Sequence, residues 1–155
     1  MAGFKICVVM ALAACGLACA APAAAADDLQ LSKGDATELT KINIGKPYWS
    51  LQAECAGVFG AGYAYEKAND RQNRADNDES WGEAMLNASL ARLQSDRGVD
   101  SQAAMAVAAP EVEVGRALAK QALDQSGTGT YGAWNLMRSQ CEDIASAYDR
   151  LHARR

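Results

Sequence analysis

The stretch from Tyr131 to Leu151, YGAWNLMRSQCEDIASAYDRL, carries the clearest structural signal in the chain. Its apolar side chains recur at steps of three or four residues, the spacing that places side chains on one face of an α-helix. Polar and charged residues fill the positions between them, as expected of a face in contact with water. The stretch therefore predicts an amphipathic helix, whose apolar face contains Tyr131, Trp134, Met137, Cys141, Ile144, Tyr148 and Leu151.

Lys46-Pro47 introduces a second segment with the helical period. Proline is tolerated at the start of a helix because the N–H that it lacks would have no partner there. One row of this predicted helix is mostly large and apolar, and a second row has a small residue at every fourth position, which allows another helix to approach closely. The first row contains Tyr48, Leu51, Cys55, Val58, Gly62 and Tyr65, and the second contains Ala56, Gly60, Ala64 and Ala68.

A further helix is predicted after the polar run 69–78. Asn77 or Asp78 can cap its N-terminus, since both side chains accept hydrogen bonds from the free N–H groups of a first turn. Gly98 is placed to end the helix, because glycine readily adopts the left-handed conformation found just after helices.

The third predicted helix begins at Asp100 or Ser101 and extends to Gln125, where the glycine-rich loop 126–130 follows. Pro110 lies in the middle of this helix. Proline there removes a backbone donor and clashes with the preceding turn, so we expect a kink or a break.

These segments predict an all-α fold, an up-and-down four-helix bundle whose third helix is broken at Pro110. In that topology the first and fourth helices are antiparallel neighbours. At roughly 1.5 Å per residue, Cys55 and Cys141 each lie about 12 to 15 Å from the same end of the bundle. We therefore expect a disulfide between Cys55 and Cys141 that joins these two helices; the alternative is a pair of reduced, buried cysteines.

The first 26 residues have the pattern of a secretory signal peptide. Lys5 precedes an apolar, alanine-rich run, and Ala24 and Ala26 provide small residues for cleavage after Ala26. The alternative is lipidation at Cys15, because Leu12 to Gly16, LAACG, resembles a bacterial lipobox. The first interpretation gives a periplasmic or secreted protein and the second gives an envelope lipoprotein.

The chain thus divides into a signal peptide 1–26, a lead-in 27–46 and a helical bundle domain 47–155. The lead-in is polar and has no sustained period, so we expect it to be extended or poorly ordered. The whole chain has a formal net charge of −4. Such an acidic balance does not favour binding to nucleic acid or to anionic lipid, and no membrane span is expected after leader cleavage.

No catalytic, cofactor or metal motif is complete. Segment 127–132 has the glycine spacing of a dinucleotide-binding loop, but a predicted helix precedes it where a strand is required. Segment 76–87 begins like a calcium loop and lacks the glycine and the final glutamate. His152 is the one histidine and lies near the end of the chain, and the C-x-x-C-H haem motif is absent. We therefore expect no cofactor and no metal.

In function, the sequence favours a non-enzymatic helical module that binds another envelope protein or a hydrophobic segment. The glycine- and alanine-rich first helix suggests a carrier of a small apolar ligand as one alternative. An enzyme that uses scattered carboxylates, such as Glu54 and Glu142, is another. The aromatic residues that could line a groove, each with a place in the core as the default, are Tyr48, Trp49, Tyr63, Trp81 and Trp134.

Overall fold

A computed structural model describes residues 28–125 and 132–153. Its helices are α1 (Tyr48–Ala68), α2 (Gln72–Arg97), α3 (Ser101–Gln125) and α4 (Gly132–Ala153), preceded by a 3-10 helix over Lys41–Asn43. These residues contain no strand, only an isolated bridge between Gln30 and Pro47. The predicted all-α class with four main helices is confirmed.

Helix α2 packs antiparallel to α1. Near the start of α1, the carbonyl of Trp49 accepts a hydrogen bond from Ser89 Oγ at 2.7 Å. Further along α1, Phe59 stacks on Trp81, which precedes Ser89 in α2, with 5.7 Å between ring centroids. Later residues of α1 therefore meet earlier residues of α2, as in an up-and-down bundle.

The predicted apolar face of helix α4 packs against α1. Cys141 is bonded to Cys55, and the ring centroids of Tyr148 and Tyr48 lie 5.3 Å apart, so α4 is antiparallel to α1. Tyr131, the first residue of the predicted face, lies outside the described residues. The other residues of that face are buried or half-buried: Trp134, Met137, Cys141, Ile144, Tyr148 and Leu151.

Helix α3 runs parallel to α1 and approaches it closely at two glycines. A Cβ atom at Gly57 would overlap the carbonyl of Val112 in α3, and one at Gly115 would overlap the carbonyl of Glu54 in α1. Any larger residue at either position would force the helices apart. The close approach thus uses Gly57, whereas a Cβ at Gly60, in the predicted row of small residues, would have no described atom within 4 Å.

Helix α3 is continuous through Pro110, so the predicted break is wrong. The proline removes the N–H that would donate to the carbonyl of Ala106, and both residues are exposed. That carbonyl can accept from water, which reduces the cost of the missing donor. On the other side of α3, Ala108 and Gly115 are buried on either side of Pro110 and hold the two halves in line.

Helix α2 begins at Gln72, earlier than the predicted cap at Asn77 or Asp78. The chain reverses in a tight turn after α1, where Asp70 has a φ of 56° and Arg71 N–H donates to the carbonyl of Glu66 at 2.9 Å. Aspartate is among the residues that tolerate this left-handed conformation. Most of the polar run is consequently helical, and Asp78 is a buried residue within α2.

The described part of the lead-in, residues 28–46, is held against the bundle through turns, where an extended or poorly ordered segment was expected. The N–H of Tyr48 donates to the carbonyl of Leu29 at 2.8 Å. Trp49 Nε1 donates to Asp28 at 2.8 Å, and Arg97 forms an ion pair with the same carboxylate at 2.6 Å. Hydrogen bonding from Arg97 lowers the pKa of Asp28. The contact therefore fastens the lead-in to one end of α1 and α2.

The predicted signal peptide 1–26, including Cys15, lies outside the described residues. Among the helices that the structure describes, none has the length and apolar character needed to cross a membrane.

Candidate functional site

The predicted disulfide is present and joins the middle of α1 to the middle of α4. The Cα atoms of Cys55 and Cys141 lie 5.5 Å apart, and the two residues are 3% and 4% exposed. This separation is typical of disulfides. A small hollow of about 70 Å³ lies beside the bond, between α1, α3 and α4. The bond is thus a buried structural link and not a surface thiol pair.

The aromatic residues proposed for a groove are distributed through the fold. Tyr48 is 0% exposed and Trp134 is 2% exposed, and both belong to the main core. Trp49 lies at the lead-in contact with Asp28, and half-buried Trp81 stacks on Phe59. Tyr63 lines a hollow between α1, α2 and α3, and Trp134 lines a different, polar hollow beside Glu66 and Arg138. Their positions follow from helical spacing, which turns most of them towards the core.

The carboxylates named for an enzymatic alternative have different neighbours. Glu54 lies against Gly115 of α3 and pairs with Lys46 at 3.4 Å, and burial raises its pKa. Glu142, on α4, is close enough to Asp78 to raise the pKa of that residue. His152 is exposed, with its ring 4.4 Å from that of Tyr148. Nothing described here joins these groups into one catalytic arrangement.

A buried ionic cluster links α2 to α4. Asp78 is 0% exposed, and its Oδ1 forms an ion pair with the guanidinium of Arg138 at 3.0 Å. Oδ2 has no hydrogen-bond donor among the described residues. Burial raises the pKa of Asp78 to about 6, against the opposing effect of Arg138. Arg138 also donates to Asn77 at 2.9 Å, so this one side chain holds two neighbouring residues of α2.

A second buried carboxylate lies near the first. Glu66 of α1 is 2% exposed and pairs with Arg71 at 2.8 Å, with Arg74 at 4.0 Å. Its negative charge contributes to the raised pKa of Asp78. A polar hollow of about 390 Å³ opens here, lined by Glu66, Arg74, Trp134, Asn135 and Arg138. Because arginines neutralise both acids, the cluster connects α1, α2 and α4 and does not present free carboxylates for a metal ion.

The described residues contain no group of three or more histidine, cysteine, aspartate or glutamate side chains arranged to hold a metal.

A groove open to solvent lies on the side of α1 between α2 and α3. Its larger part has a volume of about 530 Å³ and is bounded by α1 and α3, with Gly60, Ala61 and Ala64 in its wall. The volume is in the range of small-molecule and side-chain pockets. Arg116 and Lys120 of α3 stand along its edge.

The smaller part of the groove, about 280 Å³, continues between α1, α2 and α3. The two parts share Gly60 and Arg116 and are therefore adjacent. We call both together the central groove. In the smaller part its lining includes Ala56, Gly82, Leu86 and Val112, with Glu79 and Glu83 on the α2 side.

The central groove has a simple origin in helix packing. Gly57 and Gly115 bring α1 and α3 together at one level, and α2 and α3 share a small apolar cluster nearer to Gly98 that includes Leu93 and Ala108. Further from Gly98, α2 and α3 lie on either side of α1, with the groove between them. The row Ala56, Gly60 and Ala64, which the sequence marks for close helix approach, is therefore incompletely covered by the described helices.

The chain was compared with models of protein families, with curated proteins and with solved structures, and none of the three comparisons gives a match. The function must therefore be argued from the geometry of this molecule.

Proposed function

We propose that this chain is an exported bacterial envelope protein that acts as a non-enzymatic interaction module, binding an apolar segment of another polypeptide in the central groove. The observation that carries the proposal is the incompletely covered part of the row of small residues on α1. Ala64 is exposed, and at Gly60 a Cβ would meet no described atom of a neighbouring element within 4 Å. A partner that covers this row would bury apolar surface that the chain leaves open.

The proposal of export is supported by the pattern of the first 26 residues, with periplasmic location, secretion or lipid anchoring at Cys15 as its forms. The buried disulfide is consistent with an oxidising compartment.

A carrier of a small apolar ligand is the second candidate. The volume of the larger part of the groove, about 530 Å³, would accommodate such a molecule. The two candidates differ in what remains bound when the protein is isolated under mild conditions.

Site-specific crosslinking in the native cells tests the proposal. A photoreactive amino acid replaces exposed Ala64 in the groove, and the matched control places it at exposed Ser139 on α4. We expect the Ala64 probe to capture a discrete polypeptide, the Ser139 probe not to, and Gly60→Leu to abolish the capture by filling the groove. Capture that is unaffected by Gly60→Leu, or a small molecule retained in native mass spectrometry with no polypeptide, would overturn the proposal; the latter result favours the carrier.

A further inference from the structure

The two sides of the central groove differ in charge. Glu79 and Glu83 are exposed on the α2 side. Lys67 of α1 is close enough to Glu79 to interact with its charge, and the Lys67 ammonium donates to Tyr63 at 2.7 Å. On the α3 side, Arg116 and Lys120 are each already paired within their own helix. Those partners are Glu113 at 3.3 Å and Asp124 at 2.7 Å. The α2 side is consequently the more negative, and a partner with positive charge is favoured there.

The floor of the groove suits a helix. Gly60 and Ala64 lie four positions apart on this floor, and buried Ala56 closes the row at its inner end, so the open part forms a shallow channel into which the ridge of another helix can fit. The open part extends over about 6 Å at 1.5 Å per residue, which is the length of roughly one helical turn. The adjoining side chains of Leu86 and Val112 are half-buried and provide apolar contacts at its edges.

Other forms of occupant fit less well. An extended segment would leave its backbone N–H and C=O groups without partners, because the helices that line the groove use their own backbone groups internally. A second copy that presented the same face would set one concave surface against another and leave the row of small residues uncovered. A helix satisfies its own backbone and presents a convex face.

From the charge and the shape of the groove we infer that it binds a cationic amphipathic α-helix of another polypeptide, with its apolar face on Gly60 and Ala64 and its basic flank beside Glu79 and Glu83. This inference rests on the proposed function and specifies the chemistry of the partner. The acidic net charge of the chain, −4, would also attract a cationic partner from a distance.

The test uses the purified full chain and two model peptides, each an amphipathic helix of about four turns with a leucine face. One carries lysine along its flank and the other carries glutamate at the same positions. Calorimetry at physiological salt should show at least about tenfold tighter binding of the lysine peptide, the scale expected from a few exposed charge pairs.

Two variants, each with a matched control, locate the binding. Gly60→Leu should abolish binding of the lysine peptide, while Gly132→Leu, at another exposed glycine with nothing described within 4 Å of its Cβ, should not. Glu79→Lys with Glu83→Lys should reverse the preference between the peptides. Glu38→Lys with Asp149→Lys, the same change in net charge at exposed sites outside the groove lining, should leave the preference for lysine in place. Circular dichroism checks that every variant keeps its helices.

The outcomes separate the inference from the proposed function. Equal binding of both peptides, blocked by Gly60→Leu, would overturn the cationic preference and support the groove as a site for polypeptides. Failure of both peptides to bind, together with Gly60-dependent crosslinking in cells, would overturn the inference alone. Binding that ignores Gly60→Leu, or a preference that the control pair of charge changes also reverses, would show that the peptides attach elsewhere and would overturn the inference.

Discussion

Asp78 carries a carboxyl group that the fold buries, which disfavours its charged form. It is fully buried, its one described ion-pair partner is Arg138, and neither of its oxygens accepts a hydrogen bond from a described residue. Desolvation opposes the charged form of a carboxyl group, which is why the pKa of Asp78 rises to about 6. The unfolded chain, with a pKa near 3.8, holds this proton less tightly than the folded one.

This difference predicts the sign of a pH effect. Between about pH 4 and pH 6 the folded state keeps the proton that the unfolded state has lost, so the contribution of Asp78 to the free energy of unfolding decreases as pH rises through this window. At 1.36 kcal/mol per pKa unit the whole decrease is at most roughly 3 kcal/mol. Asp78→Asn, which cannot ionise, should therefore gain stability relative to the wild type between pH 4 and pH 7.

The measurement is urea unfolding of both proteins at several pH values. The other titratable groups are common to both proteins, so their contributions cancel in the difference between the two free energies of unfolding. Asp149→Asn, at an exposed position, is the control and should differ from the wild type by a nearly constant amount. Parallel stability curves for the wild type and Asp78→Asn would contradict a raised pKa at this site.

At the scale of the helices, three glycines of α1 and α3 fall into two kinds. Gly57 and Gly115 are needed where the two backbones touch, whereas Gly60 faces the open groove. Glycine within a helix costs up to about 1 kcal/mol relative to alanine, because it gives up more conformational freedom on folding. Close packing explains that cost at Gly57 and Gly115, but at Gly60 the described contacts do not require it.

Alanine substitution should therefore have opposite effects at the two kinds of position. Gly60→Ala should stabilise the protein by up to about 1 kcal/mol, since the new Cβ enters open space. Gly115→Ala should destabilise it by about 3 kcal/mol, near the upper end for overpacking, because the Cβ would meet the backbone carbonyl of Glu54 and not a flexible side chain. Chemical unfolding of both variants checks this, and a shift of the same sign in both would be inconsistent with the described packing of α1 on α3.

The helices themselves could be predicted because periodicity and caps are local properties. Asp100 caps α3 through a hydrogen bond from the N–H of Ala103 at 2.8 Å, and Gly98 ends α2 with a φ of 62°, both as the sequence suggests. The continuity at Pro110 was missed because it depends on long-range contacts of Ala108 and Gly115, which local rules do not include.

Asp78 was misassigned to a cap for a related reason. An aspartate in a polar run is usually exposed. One signal was available: Asp78 precedes Met85 by two turns and so lies on the apolar face of α2 if that helix begins early. Its partner Arg138 lies 60 positions away, and nothing local indicates the pairing. For the groove, the sequence predicted only that the glycine- and alanine-rich α1 could leave space for a ligand. The position of the groove between α2 and α3 is set by tertiary packing, which the sequence pattern does not show.

At the scale of the whole molecule, the disulfide is the covalent element that ties α4 to the rest of the bundle. The non-covalent contacts of α4 include Trp134 at Gly62, the Arg138–Asp78 pair, and the packing of Ile144 and Tyr148. The bond between Cys55 and Cys141 closes a loop across 86 positions of sequence. For a loop of this size, chain entropy alone predicts a stabilisation on the order of 4.5 kcal/mol, largely through restriction of the unfolded chain.

Replacing both cysteines with alanine should therefore lower the free energy of unfolding by about 3 to 5 kcal/mol and leave the helical content in place. Two measurements check this, thiol labelling and urea unfolding. The protein without residues 1–26, whose cysteines are Cys55 and Cys141 alone, should show no free thiol when denatured and unreduced, and its unfolding midpoint should fall on reduction. Because the bond is buried between α1 and α4, a reductant should act slowly until the domain opens, and reduction should speed up in moderate urea. The alanine variant is the control, since reductant should leave its midpoint unchanged. If instead the variant unfolded at the wild-type midpoint, the closed loop would contribute no net stability, and non-covalent contacts alone would account for the attachment of α4 to the bundle.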